Sequence, residues 1–267
     1  MKKTLLVAIT LAATILTGCA SAQSDDTTIV VGASVAPHAE ILAVAAPLLE
    51  AEGYTLEIIE FTDYVLPNTS LDAGDLDANF FQHLPYLEDF VAEKGSKITS
   101  VAQVHFEPLG IYAGNTTDLA DLQEGAIVGV PNDTTNEARA LLLLEAQGLI
   151  KVDENAGLTA TVLDIVENPL NLQIVEIEAA QLARTLPDLD IACINGNYAL
   201  EGGLDITTTL ATEASDSLSA DTFANIIAVQ EGTEQDAKIQ ALIEAVTSEE
   251  VREFIETTYE GAVVPVF

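Results

Sequence analysis

The chain has 267 residues, 49% of them hydrophobic, and carries a formal charge of −34 from 43 acidic residues against 9 Lys and Arg. There is apolar material for two modest domains or one large one. Nucleic-acid binding and polybasic membrane contact are excluded by the sign and size of the charge, and against such a background the few cations stand out.

Lys2 and Lys3 open the chain, and residues 5–16 form an apolar run broken only by Thr10 and Thr14. That is too short for a comfortable transmembrane helix and has the layout of a secretory signal. It ends Leu16-Thr17-Gly18-Cys19, which resembles the lipobox of bacterial lipoproteins. The resemblance implies cleavage after residue 18 and lipidation of Cys19, placing the protein on the extracytoplasmic face of a membrane; an ordinary signal with a chance Cys is the alternative. Residues 19–28 read as a lipidated tether. Cys193, within the apolar IACI run, has no intramolecular partner left and reads as a buried, inert thiol.

From residue 28 the pattern is strand (28–32), helix (38–52) and strand (54–61), a βαβ unit that predicts a parallel sheet. Pro47 is a potential kink in the helix. A short helix over 67–73, a strand over 76–81 and an amphipathic helix over 83–92 follow. Residues 63–87 concentrate Tyr64, Phe80, Phe81, His83 and Tyr86 in a chain with 6 Tyr, 8 Phe and no Trp. Such a cluster suits either a hydrophobic core or one wall of a small-molecule pocket. Its place beyond strand C-termini is where open α/β sheets bind ligands. Strand alternation puts Phe80 in the core and Phe81 toward the cleft.

Residues 98–112 are extended, with a break at Pro108. The strand–helix pattern restarts at 126–130, so a domain boundary is expected near 112. Residues 131–148 (PNDTTNEARALLLLEAQG) predict a helix over 138–147, with Asn132, Asp133 and Thr134 as possible caps and a Thr134–Glu137 capping box. Arg139 in its first turn would either build a carboxylate or phosphate site or pair with a nearby Glu. Strands at 172–177 and 190–194 flank a helix at 178–185. Asn195 follows at a strand end, where it is either a ligand contact or a turn residue. A strand at 223–229 and helices at 236–245 and 248–259 complete the chain.

No G-x-G-x-x-G, P-loop, G-x-S-x-G, H-E-x-x-H or C-x-x-C occurs, so nothing supports an enzyme and no cofactor is expected. A zinc site from His38, His83 and His105 with acidic partners is conceivable but has no spacing behind it.

The runs DYVLPN, DANFFQHLPYL, VPNDTTNEARALLLL, TVLDIVENPLNL and INGNYAL together resemble the methionine-binding lipoproteins of ABC importers, the NlpA/MetQ type, over nearly the whole mature chain. The resemblance implies a two-lobed α/β fold of the periplasmic-binding-protein kind (type II). Each lobe would be a mostly parallel sheet flanked by helices, with lobe 1 at 29–112 and 226–267 and lobe 2 at 113–225. It also implies that Tyr64, Phe81, His83 and Tyr86 hold the methionine side chain. Arg139 would grip the carboxylate, and Asn195 and Asn225 the rest of the amino-acid backbone. Glu107, where some relatives differ, is a candidate for the ammonium. A permease and its ATPase are the implied partners. Another small amino acid, D-methionine, a methionine dipeptide, or a surface adhesion role are the alternatives.

Overall fold

The computed structural model describes residues 27–214 and 218–267. The expected signal peptide, Cys19 and all of the tether up to residue 26 lie outside the described residues.

Strand β1 (Thr28–Ser34) begins within the expected tether. It lies between β2 (Thr55–Phe61) and β3 (Ala78–His83), parallel to both. A helical turn (Val35–Ala39) and α1 (Glu40–Ala51), which contains Pro47, connect β1 to β2. Helix α2 (Leu66–Ala73) leads to β3, and α3 (Leu84–Lys94) follows it. Strand β4 (Ile98–Phe106) completes this part of the first sheet.

The chain then leaves that sheet. Strand β5 (Gly110–Ala113) already pairs in a second one, so the expected boundary near 112 falls inside a strand. The crossing is made by Glu107, Pro108 and Leu109, where proline cannot donate to a ladder. In the second lobe come β6 (Ile127–Pro131), α4 (Thr134–Ala146), β7 (Lys151–Val152), β8 (Ile165–Glu167), β9 (Gln173–Ile177), α5 (Ala179–Thr185), β10 (Ile191–Ile194), α6 (Gly196–Glu201) and β11 (Ala211–Thr212). After α7 (Leu218–Thr222), β12 (Asn225–Gln230) returns to the first sheet. Asn225, expected at the end of lobe 2, therefore opens a lobe 1 strand. Helices α8 (Ala237–Val246) and α9 (Glu249–Tyr259) and strand β13 (Val264–Pro265) finish the fold.

The six-stranded sheet has the order β13-β4-β12-β3-β1-β2 and the five-stranded sheet β11-β5-β10-β6-β9. Both are mixed: β12 runs antiparallel to β3 and β4, and β5 antiparallel to β10. The continuous apolar runs have a simple cause, burial on both faces. In β12, Ile227 and Val229 join Phe80, Leu42 and Leu242 on one side, while Ile226 and Ala228 join Leu71, Leu87 and Phe90 on the other. In β10, Ile191 and Cys193 face one core and Ala192 and Ile194 the other. Burial raises the Cys193 thiol well above its ordinary range, as an inert core residue requires.

Helix α4 starts earlier than its apolar pattern suggests. Asp133 is the N-cap, accepting the Asn136 N–H at 3.1 Å. No Thr134–Glu137 capping box forms. Glu137 instead accepts the Val162 N–H at 2.8 Å. Arg139 consequently lies in the second turn of α4 rather than the first, so the free N–H groups of the helix start are not its immediate neighbours.

Candidate functional site

Between the two sheets lies a narrow cavity, with about 330 Å³ of atom-free space that includes open solvent. Tyr64, Phe81, His83, Tyr86, Arg139, Asn195 and Asn225 all line it, together with Gln82, Glu107, Asn136, Gly196 and Asn197.

The aromatic wall is built by the strand period. Along β3, Phe80 turns into the core and Phe81 to the cavity. The Tyr64 ring, on the bend after β2, lies 5.8 Å from that of Phe81 and 5.7 Å from that of Tyr86. The Tyr86 hydroxyl donates to the Tyr64 carbonyl at 2.9 Å. A closed amide network fixes the strand behind this wall. Gln82 and Asn68 exchange hydrogen bonds at 2.7 Å, and Asn79 donates to Asn68 at 2.8 Å. This accounts for Asn68, Asn79 and Gln82 in DYVLPN and DANFFQH: they tie α2 to β3 beneath the cavity.

The polar wall is ordered by α4. Asn136 Oδ1 lies 3.1 Å from His83 Nε2 and accepts from Asn195 Nδ2 at 2.8 Å, while Asn136 Nδ2 donates to Asp133 at 2.8 Å. The His83 Nδ1 accepts the Tyr86 N–H at 3.2 Å, capping α3. These bonds assign the proton of neutral His83 to Nε2. Burial, followed by the nearby charge of Arg139, lowers His83 to about 3.

Arg139 is buried and already has an anion. Its Nη2 lies 2.6 Å from Glu213, its Nε 2.9 Å from the same carboxylate, and Nη2 also donates to the Glu107 carbonyl at 2.8 Å. The Phe223 ring covers it at 4.4 Å. Of the two readings open from the sequence, the structure thus shows the pairing with a Glu, and Arg139 also lines the cavity.

The lobes touch across this site. The Tyr64 hydroxyl donates to Asn197 Oδ1 at 2.5 Å, and the Tyr64 ring packs on that of Tyr198 at 4.7 Å. With Asn195 Nδ2 committed to Asn136 and Asn197 Oδ1 committed to Tyr64, each side chain retains one polar atom. Asn195 Oδ1, an acceptor, and Asn197 Nδ2, a donor, are buried without a partner among the described residues.

Asn136, Asn197, Gln82 and Gly196 were not singled out from the sequence as site residues. Asn136 had a usable signal, since it lies three residues before Arg139 and shares its helix face. The side-chain donors of His38, His105 and Glu107 lie within 4.8 Å of one another, as metal ligands would. His83, by contrast, bonds elsewhere. His105 Nε2 donates directly to Glu107 at 2.7 Å, so this group is arranged as a hydrogen-bond chain rather than around an open centre.

Residues 29–267 match the model of the NlpA lipoprotein family. The chain belongs to that family. The methionine-binding lipoprotein MetQ of Bacillus subtilis is 40% identical over 274 residues, covering 100% of this chain and 99% of its own. A nutrient-binding protein from Burkholderia cenocepacia, solved bound to methionine, is 45% identical with a TM-score of 0.85, covering 90% of this chain and 100% of its own. A periplasmic substrate-binding protein of an ABC transporter from Coxiella burnetii is 39% identical with a TM-score of 0.83, covering 89% and 100%. These NlpA relatives are named for binding rather than catalysis. Among the described residues, no helix is long and apolar enough to cross a membrane.

Proposed function

We propose that this NlpA-family chain is the substrate-binding subunit of an ABC importer, anchored by lipid on Cys19 at the extracytoplasmic face, and that it closes its lobes on methionine. The observation that carries this reading is the pairing of two unlike walls in one interlobe cavity. One is aromatic (Tyr64, Phe81, Tyr86). The other holds Arg139 and the unpartnered atoms of Asn195 and Asn197. A thioether packs favourably on aromatic rings, at roughly 0.3–1.5 kcal/mol per good contact. The remaining Arg139 amino group, Nη1, and Asn197 Nδ2 are donors for the carboxylate. Asn195 Oδ1 accepts from the amino-acid backbone, and Asn225 completes the polar end. A ligand carrying both ends bridges the lobes and stabilises the closed form by differential affinity. The lobes then move about the two crossings, at 107–109 and near 224. The lipid anchor keeps the receptor close to a permease and its ATPase.

Calorimetry with L-methionine tests the reading. Arg139→Lys keeps a charge beside Glu213 but loses the planar fork, and should weaken binding about 10- to 100-fold. Unchanged affinity would remove Arg139 from carboxylate recognition. Titrations with D-methionine and a glycyl-methionine dipeptide, and the mass of any ligand released from the purified protein, decide between methionine and its near relatives.

A further inference from the structure

Glu213 does not line the cavity, yet it joins the cavity to the hinge. It follows β11 directly, and its backbone N–H donates to the Leu109 carbonyl at 3.1 Å. Its carboxylate returns to the same residue, with Oε2 accepting the Leu109 N–H at 2.9 Å. That oxygen also takes Arg139 Nη2 at 2.6 Å, while Oε1 takes Nε at 2.9 Å. Nη2 donates further to the Glu107 carbonyl at 2.8 Å. The Arg139–Glu213 pair, with side chains 4% and 8% exposed, therefore holds both residues that flank Pro108 in the first crossing.

The second crossing meets the same guanidinium. The ring of Phe223, which leads into β12, lies 4.4 Å from Arg139, and that of Phe106, the last residue of β4, lies 5.6 Å away. Residues in a hinge have to absorb the dihedral change when lobes move. Here the amide and carbonyl that would turn are bonded to one buried ion pair, so rotation at 107–109 breaks that pair or carries it along. The pair also decides what Arg139 can offer. Glu213 fills the edge made by Nε and Nη2, and Glu107 takes what is left of Nη2, so Nη1 alone remains for the cavity that Arg139 lines.

We propose that Glu213 is a positioning residue that ties Arg139 to the hinge, so that a ligand carboxylate taken by Nη1 fixes the crossing at Leu109 in its closed arrangement. This rests on the reading of Arg139 as the carboxylate group of the site, and adds how its occupation reaches the hinge. An anion on Nη1 completes the hydrogen bonds of the guanidinium and holds it against Glu213. Glu213 Oε2, shared between Arg139 and the Leu109 N–H, passes that restraint to the backbone. A side chain already oriented in this way also loses less freedom when the ligand arrives. A neutral amide cannot replace the carboxylate. Arg139 Nε, Arg139 Nη2 and the Leu109 N–H are all donors, so the nitrogen of Gln would face a donor while the volume stayed nearly the same.

The test compares L-methionine with L-methioninamide, which keeps the ammonium and thioether and lacks the carboxylate, on wild type and on Glu213→Gln. Glu213→Gln should lose about 10-fold in methionine affinity, with methioninamide changed less than about 3-fold. Equal loss for both ligands would make Glu213 merely structural, and a gain in methionine affinity would make it a competitor for Arg139; either overturns the proposal. Hydrogen exchange at the Leu109 amide, read by NMR, needs no variant. In wild type, methionine should slow it about 10-fold or more beyond the effect of saturating methioninamide. Equal slowing by the two ligands, with methionine still the tighter, would overturn the link to the hinge while leaving the carboxylate reading intact. If wild type binds the two ligands equally, the carboxylate reading of Arg139 fails and this inference falls with it.

Discussion

Asn136 shows how one side chain can organise a site without being its most conspicuous member. Its carbonyl serves His83 and Asn195 from different elements, and its amide is held by Asp133. His83 depends on that arrangement being neutral, because its bare Nδ1 caps α3. Its value of about 3 in the fold lies far below the 6.5 of an exposed imidazole. Between those values the unfolded chain holds a proton that the folded one does not. Stability from this group is thus complete above about 6.5 and falls on acidification, by about 1.4 kcal/mol per pH unit. His83→Gln, which can still donate to Asn136, should lose less of its melting temperature between pH 7 and pH 5 than wild type. Identical losses would show that His83 already titrates normally. A Cβ at Gly196, the first residue of α6, would lie 2.8 Å from both Glu107 Cβ and Oε2. Substitution by Ala there should push Glu107 aside and weaken methionine binding about 10-fold or more, with the far-UV spectrum unchanged; intact affinity would mean that α6 can retreat.

At the scale of elements, the start of α4 joins stability to the site. Asp133 accepts from the Asn136 backbone at 3.1 Å and from its side chain at 2.8 Å, so one residue both caps the helix and aims Asn136. Asp133→Ala should cost about 1–2 kcal/mol in denaturant unfolding with an unchanged slope, and should also reduce methionine affinity. A loss of stability without a loss of affinity would show that packing alone orients Asn136. The strand ends matter in the same way. Asn225 opens β12 in register with His83 of β3 on one side and His105 of β4 on the other. Three strand ends thereby bring to one level the groups that the proposed clamp needs.

For the whole molecule, closure is the functional variable. Tyr64 belongs to lobe 1 and Asn197 to lobe 2, so their hydrogen bond exists only when the lobes meet. Tyr64→Phe keeps the ring against Phe81 and Tyr198 and removes that bond. Methionine affinity should fall about 3- to 10-fold, and small-angle scattering should report a larger open fraction without ligand. The thermal unfolding of the unliganded variant should barely change, since neither lobe core contains the hydroxyl. A large drop in melting temperature would place Tyr64 in the fold rather than in closure.

The sequence by itself determined the local elements, the aromatic cluster and the α/β class of the fold, because these follow from composition and short-range periodicity: β3 turns Phe80 inward and Phe81 outward whatever surrounds it. The long family-like runs added the lobed architecture and named Arg139, Asn195 and Asn225. What only the tertiary structure decided was pairing across distance. It moved the crossing to 107–109 and gave β12 to the first sheet, since ladder partners far apart in sequence define a sheet. It gave Arg139 a partner 74 residues away in Glu213 and turned Asn136 and Asn197 into site residues. It also gathered His38, His105 and Glu107 into one buried group. An amide or a carboxylate looks alike in sequence whether it caps a turn or faces a ligand. The difference lies in which of its hydrogen bonds are already made, and that is settled only when the lobes come together.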